Sequence, residues 1–163
     1  MNCLSLILKV LVMMGALSPH RPSDDLVAVA IASACLAGES PYADDADRVK
    51  CSSVLVSIAF REGSFQPHVI GDKGASYGTW QINLPGKAKT IEGWSGPLLL
   101  DDTQAAARVA LRMVRESFRI CPAAPLSFYA EGPRGCSSPR GQRISADRMN
   151  LARWVRGKVE VRP

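Results

Sequence analysis

A chain of 163 residues leaves room for one domain with a proper core and little more. It is 47% hydrophobic and 21% charged, a globular balance that argues against a disordered or fibrous protein. The net charge of +5 is uneven: residues 101–163 carry twelve Lys and Arg against six Asp and Glu, a net +6, while residues 1–100 carry eight against nine, a net −1. A basic half of this kind suits nucleic acid, anionic lipid, an acidic polymer such as bacterial cell wall, or simply solvent.

The chain opens on an apolar run, residues 4–17, interrupted by Lys9. It is too short to span a bilayer comfortably and reads as a signal-peptide core or as an uncleaved apolar arm. Residues 1–5 carry no basic side chain, and Ala16-Leu17-Ser18 offers a small-residue cleavage site with Pro19 behind it. Residues 1–18 are therefore set apart from a domain over 22–160. Nothing between 18 and 163 resembles a membrane span, and no internal repeat or low-complexity tract appears.

Ser23, Asp24 and Asp25 mark a helix start, followed by the apolar run 26–36 and Gly38 as a C-terminal cap. Residues 39–42, with Pro41, read as a loop. The next helix is expected from Asp44 or Asp45 to Glu62, ending at Gly63. Its stripe of Val54, Leu55, Ile58 and Ala59 runs at helical spacing, and Glu62 continues it. A glutamate in the last turn opposes the negative helix end, so helix stability does not explain its place.

Residues 63–96 are rich in Gly, Pro, Ser and Asn and read as loops, with at most a short strand or helical turn over 77–83. Asp101, Asp102 and Thr103 cap a third helix. Its apolar face is Ala106, Val109, Ala110, Met113, Val114 and Phe118, its other side Arg108, Arg112, Arg115 and Arg119, and Pro122 ends it. Residues 125–129 suggest a short helical turn. A last helix is expected from Ser145 to Gly157, with Met149, Ala152 and Trp154 facing inward.

Of five cysteines, Cys3 falls in the apolar run; Cys35, Cys51, Cys121 and Cys136 remain. In an exported chain they fit two disulfides, with Cys35–Cys51 and Cys121–Cys136 favoured among three connectivities; in a cytosolic chain they are free thiols. No C-x-x-C spacing, Walker loop, dinucleotide-binding glycine pattern or HExxH helix is present.

Between residues 60 and 84 the chain reads FREGSFQPHVIGDKGASYGTWQINL. Glycines admit a ligand close to backbone, and aromatic and amide side chains suit sugar faces and hydroxyls. Trp80 and Trp94 are candidates either for stacking on sugar or for packing. Cleaving a glycosidic bond needs a proton donor, which a carboxyl supplies near neutral pH once apolar surroundings raise its pKa. Glu62 is placed for that role. The plain alternative is a surface glutamate at a fraying helix end.

Glu62-Gly63-Ser64-Phe65-Gln66-Pro67 resembles the Glu-Ser-x-(aromatic or x)-x-Pro element of soluble lytic transglycosylases and goose-type lysozymes. The stretch from Gly74 through Ser76-Tyr77-Gly78-Thr79-Trp80-Gln81-Ile82-Asn83 is similar to that superfamily's Gly-Ala-x-Gly-Leu-Met-Gln-Ile block and its Tyr-Gly-x-x-Gln-Ile-Asn variants. Tyr129-Ala130-Glu131-Gly132-Pro133 resembles the Tyr-Asn-Ala-Gly-Pro motif. The three pieces come in family order and cover about half of the chain. Gly63 stands where serine is usual, Trp80 where methionine is common, and Ala130 where the motif has asparagine.

The resemblance implies a lysozyme-like, mainly α single domain with a loop-rich cleft and little or no sheet. Glu62 would be the general acid and then the base. Ser76, Tyr77, Gly78, Gln81, Asn83 and Tyr129 would hold sugar or form the cleft wall. Asp72, in Gly71-Asp72-Lys73-Gly74, is similar to the aspartate of goose-type lysozymes that positions water, or is simply a turn residue; Asn83, where those enzymes have a second aspartate, favours the transglycosylase. The implied activity is lytic transglycosylation of the β-1,4 link between N-acetylmuramic acid and N-acetylglucosamine, giving a 1,6-anhydro end. The alternatives are a muramidase helped by Asp72 and a non-catalytic wall-binding or assembly protein on the same fold. Peptidoglycan strands are the expected partner rather than nucleic acid. No metal or organic cofactor is implied. The chain is expected to be a monomer exported to the periplasm, envelope or exterior, of bacterial or phage origin.

Overall fold

The computed structural model describes residues 1–37 and 47–160. It is mainly helical, as expected, with seven α-helices and one small sheet among those residues. The expected cap at Gly38, the loop over 39–42 and the helix start at Asp44 or Asp45 lie outside the described residues.

Helix α1, Cys3–Gly15, begins where the Asn2 side chain accepts from the Ser5 amide at 2.8 Å. It turns Leu6, Val10, Met13 and Met14 into the core and leaves Leu4, Leu8 and Val12 exposed. No described helix is long and apolar enough to cross a membrane.

Helix α2, Pro22–Ala37, is buried on most sides, and its alanines let α1, α3 and α5 pack closely around it. Asp24 is buried in its first turn, where it accepts from the Arg21 amide at 2.9 Å and favours the positive helix end.

Helix α3, Arg48–Gly63, starts on Asp47, whose side chain accepts from the Lys50 amide at 2.8 Å. Ser53 and Ser57 are buried along it, and their hydroxyls donate to the Lys50 and Val54 carbonyls one turn back, both at 2.8 Å. This is how a serine-rich helix runs through a core without stranding those polar groups. The helix ends as the backbone turns left-handed at Ser64. The Ser64 and Phe65 amides bond back to the Phe60 and Ala59 carbonyls, and the Phe60 and Phe65 rings meet at 5.7 Å. That closure, with its apolar clasp, fixes the last turn carrying Glu62.

Strands β1 (Ile70–Gly71), β2 (Ser76–Tyr77) and β3 (Ile82–Asn83) form an antiparallel sheet in sequence order. Ile70 pairs with Tyr77, Gly71 with Ser76, Ser76 with Asn83 and Tyr77 with Ile82. A single helical turn, Asp72–Gly74, joins β1 to β2. Three two-residue strands replace the single short strand or turn expected over 77–83.

Helix α4, Gly96–Asp101, is a further element not anticipated, opened by Ser95 and Pro97. Helix α5, Thr103–Ile120, follows, with the Asp102 side chain accepting from the Ala105 amide at 2.8 Å. Ala106, Val109, Ala110 and Val114 are buried as expected.

Helix α6, Ser127–Glu131, is clamped on both sides by serines. The Ser117 hydroxyl of α5 accepts from the Tyr129 amide at 3.0 Å, and that of Ser145 accepts from the Leu126 amide at 2.9 Å. Helix α7, Pro139–Arg156, starts six residues before the expected Ser145, because Ser138 caps it and Pro139 fits its first turn. Of the residues expected to face inward, Ala152 is buried and Met149 packs partly buried against the core, but Trp154 is 47% exposed beneath Lys158.

Both favoured disulfides are present, Cys35–Cys51 joining α2 to α3 and Cys121–Cys136 closing the segment after α5; Cys3 is free and exposed. Loops of about 15 residues closed this way stabilise a fold by about 3 kcal/mol each in the chain-entropy view.

Candidate active-site cleft

A cleft of about 480 Å³ opens where the end of α3, the small sheet and α6 converge. Glu62, Asp72, Ser76, Gln81, Asn83 and Tyr129 all line it. Met113, Phe128, Ala130, Glu131 and Gly132 complete the wall. A larger cleft of about 670 Å³ lies between α7 and the Pro122–Pro125 segment, with Lys50, Arg153 and Arg156 on its walls and no carboxylate. The smaller cleft is the one equipped for acid–base chemistry.

Glu62 reaches it from the last turn of α3, beyond Leu55 and Ile58, both fully buried. Its side chain is 22% exposed. Burial pushes the carboxyl above its ordinary value of 4.5, the nearby Arg148 cation pulls it back, and the negative charge of Asp72 pushes it up again; the balance is upward. Arg148 Nη2 donates to Glu62 Oε1.

Asp72 sits on the turn between β1 and β2 with φ +48°, in the left-handed region that a side chain occupies at a cost. Its Oδ2 accepts from the Ser76 hydroxyl at 2.5 Å, and Ser76 Oγ accepts from Asn83 Nδ2 at 3.1 Å. The pairing of Ser76 with Asn83 across β2 and β3 aligns this relay, so the sheet fixes the carboxylate's orientation.

Gln81, at φ +45°, also lines the cleft, but its amide is occupied. Nε2 donates to the Gly78 carbonyl at 2.9 Å and to that of Val69 at 3.2 Å, stapling the loop. A Cβ at Gly71 would stand 2.0 Å from Gln81 Oε1 and would displace that side-chain amide from its place.

Tyr129 closes the far side. Its hydroxyl donates to the Trp80 carbonyl at 2.7 Å. Burial first, and then the charge of Glu62, lift its phenol above the ordinary tyrosine range. Ala130 contributes no polar atom where the resembled motif has an amide. Beside it Glu131 brings a third carboxylate, with Oε1 3.4 Å from Arg140 Nη1.

Tyr77 and Gly78 do not line the cleft. The Tyr77 ring packs on the start of α4 at Gly96, its hydroxyl donating to the Gly74 carbonyl at 2.5 Å. Gly78 turns the chain behind the wall. Trp80 is fully buried, its Nε1 donating to the Leu55 carbonyl at 3.2 Å, so it packs rather than stacks on a ligand. Trp94 is half-buried against the core, away from the cleft.

Gly63, where serine is usual in the resembled motif, lies against the next segment. A Cβ there would be 2.9 Å from the Thr79 oxygen and 3.2 Å from its Cα, both backbone atoms. Gly63→Ala must therefore push Thr79 and Trp80 away from α3. The expected loss is roughly 1–3 kcal/mol, the range for overpacked sites. A urea midpoint equal to that of the native chain would contradict the contact.

Sequence reasoning missed Arg148 and Glu131. Arg148 was legible only through α7's periodicity, since Gly141, Ser145, Arg148, Ala152 and Val155 fall on one helical stripe. No group of three or more His, Cys, Asp or Glu that could hold a metal exists among the described residues. Compared with known proteins, the chain matches no family model, no curated protein and no solved structure.

Proposed function

We propose that the protein is a peptidoglycan-cleaving lytic transglycosylase in which Glu62 alone carries the acid–base chemistry. The observation that carries this reading is a partly buried carboxyl of raised proton affinity at a helix end, lining a cleft of about 480 Å³ with polar walls. The protonated Glu62 gives its proton to the glycosidic oxygen as the bond from the N-acetylmuramic acid C1 breaks. The same sugar's 6-hydroxyl closes onto C1, and its proton returns to the Glu62 carboxylate. The residue ends the cycle as it began, and the product carries a 1,6-anhydro end.

The second reading, a muramidase, is favoured by one observation: Asp72 lines the same cleft and is oriented through Ser76 and Asn83. A carboxylate held in that way could fix the attacking water of an inverting hydrolysis. The third reading, a wall-binding or assembly protein on the same framework, uses the cleft without the chemistry. Export to an oxidising compartment fits the two disulfides. The basic residues of the C-terminal half would hold an anionic wall.

Digestion of purified peptidoglycan followed by mass analysis separates the three. Muropeptides lighter by one water than their reducing counterparts are the expected result. Reducing ends establish the muramidase. A folded sample that binds peptidoglycan but releases nothing supports the binding protein.

A further inference from the structure

Helix α7 turns Gly141, Ser145, Arg148, Ala152 and Val155 to the interior in alternating steps of four and three. Four of these are small or apolar. The fifth is an arginine only 7% exposed, at a position where the period calls for a core side chain. Nη2 donates to Glu62 Oε1, while Nε and Nη1 find no hydrogen-bond partner among the described residues. The guanidinium carbon stands 5.9 Å from the centre of the Tyr129 ring.

The neighbouring rung between the same helices is reversed. Arg61 Nη2 of α3 donates to Asp147 Oδ1 of α7 at 2.8 Å. The two helices thus meet in side-by-side ion pairs of opposite sense, Arg61–Asp147 outside and Glu62–Arg148 inside. The outer pair is largely exposed and contributes little to stability.

Fold stability does not account for the inner pair. A buried guanidinium with idle N–H groups loses more hydration than a single contact returns, and apolar residues in its place are commonly neutral or better. We infer that Arg148 is a positioning residue for Glu62, occupying Oε1 so that Oε2 is the oxygen that gives and takes the proton. This rests on reading Glu62 as the acid.

The groups that act on Glu62 are Arg148 from α7, Asp72 from the turn after β1 and Tyr129 from α6, with Glu131 lining the same cleft. Arg148 is the one cation among them. It therefore opposes burial and Asp72, and keeps the carboxyl from binding its proton too tightly to release it.

The test compares native protein with Arg148→Met and Arg148→Lys by two readouts. One is the titration of the Glu62 carboxyl followed by carbon NMR and assigned with Glu62→Gln. The other is the pH profile of muropeptide release. In Arg148→Met the titration midpoint should rise by roughly one unit or more, the size of a close opposite charge. The alkaline limb of the profile should move with it. Arg148→Lys keeps the cation and should bring both back toward native. Arg148→Gln replaces the methionine variant should that one fail to fold.

An unchanged midpoint without the cation overturns the inference. So does a lysine variant that matches the methionine variant in both readouts. Retained activity in Glu62→Gln would instead remove the acid assignment, while the NMR midpoint still reports on Arg148.

Discussion

Glu62→Gln should lower muropeptide release by about 10²–10⁴-fold, the usual contribution of a positioned general acid. The substitution keeps the shape of the side chain and an oxygen to accept from Arg148 Nη2, but removes the acidic proton. Stability supplies an independent check on the same carboxyl. Its folded-state proton affinity is raised above the ordinary 4.5, so the unfolded chain ionises first as pH rises. Any stability tied to the protonated form is fully present below 4.5 and is lost as pH climbs through the folded value. The glutamine variant lacks that loss. Relative to native protein, it should gain stability as pH rises above 4.5. A flat difference between the two across that range would mean that the carboxyl is not held in the environment described.

Trp80→Ala should cost about 3–5 kcal/mol, the range for deleting a large buried aromatic side chain. Trp80 is fully buried, and its indole N–H is satisfied by the Leu55 carbonyl in α3. Its own carbonyl accepts from the Tyr129 hydroxyl of α6. One residue thus joins the helix that carries Glu62, the small sheet and α6. Activity should fall further than the unfolded fraction explains, because the backbone carbonyl that accepts from Tyr129 is no longer held in place by the buried indole. Trp80→Met refills much of the space and should cost less than the alanine. The midpoint of urea unfolding measures both. A loss in Trp80→Ala within the range of surface substitutions, about 0.5 kcal/mol, would remove the tryptophan from the framework of the site.

Legibility in the sequence followed the strength of the local signal. The face of α5 could be read because Ala106, Val109, Ala110 and Val114 repeat at helical spacing behind a capping Asp102. The end of α3 was legible to within a residue from Gly63 after a continuous apolar stripe, although Ser64 rather than the glycine takes the left-handed turn. The two-residue strands were not, since alternation needs more residues than Ile70–Gly71 or Ile82–Asn83 supply. In α4 the start signal, Ser95 with Pro97, lay inside a run already rich in Gly and Pro.

The last helix misled for a physical reason. Its interior stripe is built of Gly141, Ser145, Ala152 and Val155, small residues that permit close packing, while large Trp154 lies half outside. Hydrophobicity placed Ala152 and Met149 correctly, but it misplaced Trp154 and hid Arg148. In the cleft, Glu62, Asp72, Ser76, Gln81, Asn83 and Tyr129 converge in the structure. Tyr77 belongs to the same sequence block but points away from the cleft that its strand neighbour Ser76 lines, as alternate strand residues do, and Gly78 lies past the end of that strand.

The most direct measurement is the mass of fragments released when the native protein and Glu62→Gln, both verified as folded, are incubated with purified peptidoglycan. The native protein is predicted to yield anhydro-ended muropeptides and the variant almost none. Equal release by the two proteins would contradict the role given to Glu62, and no release by either would contradict the enzyme.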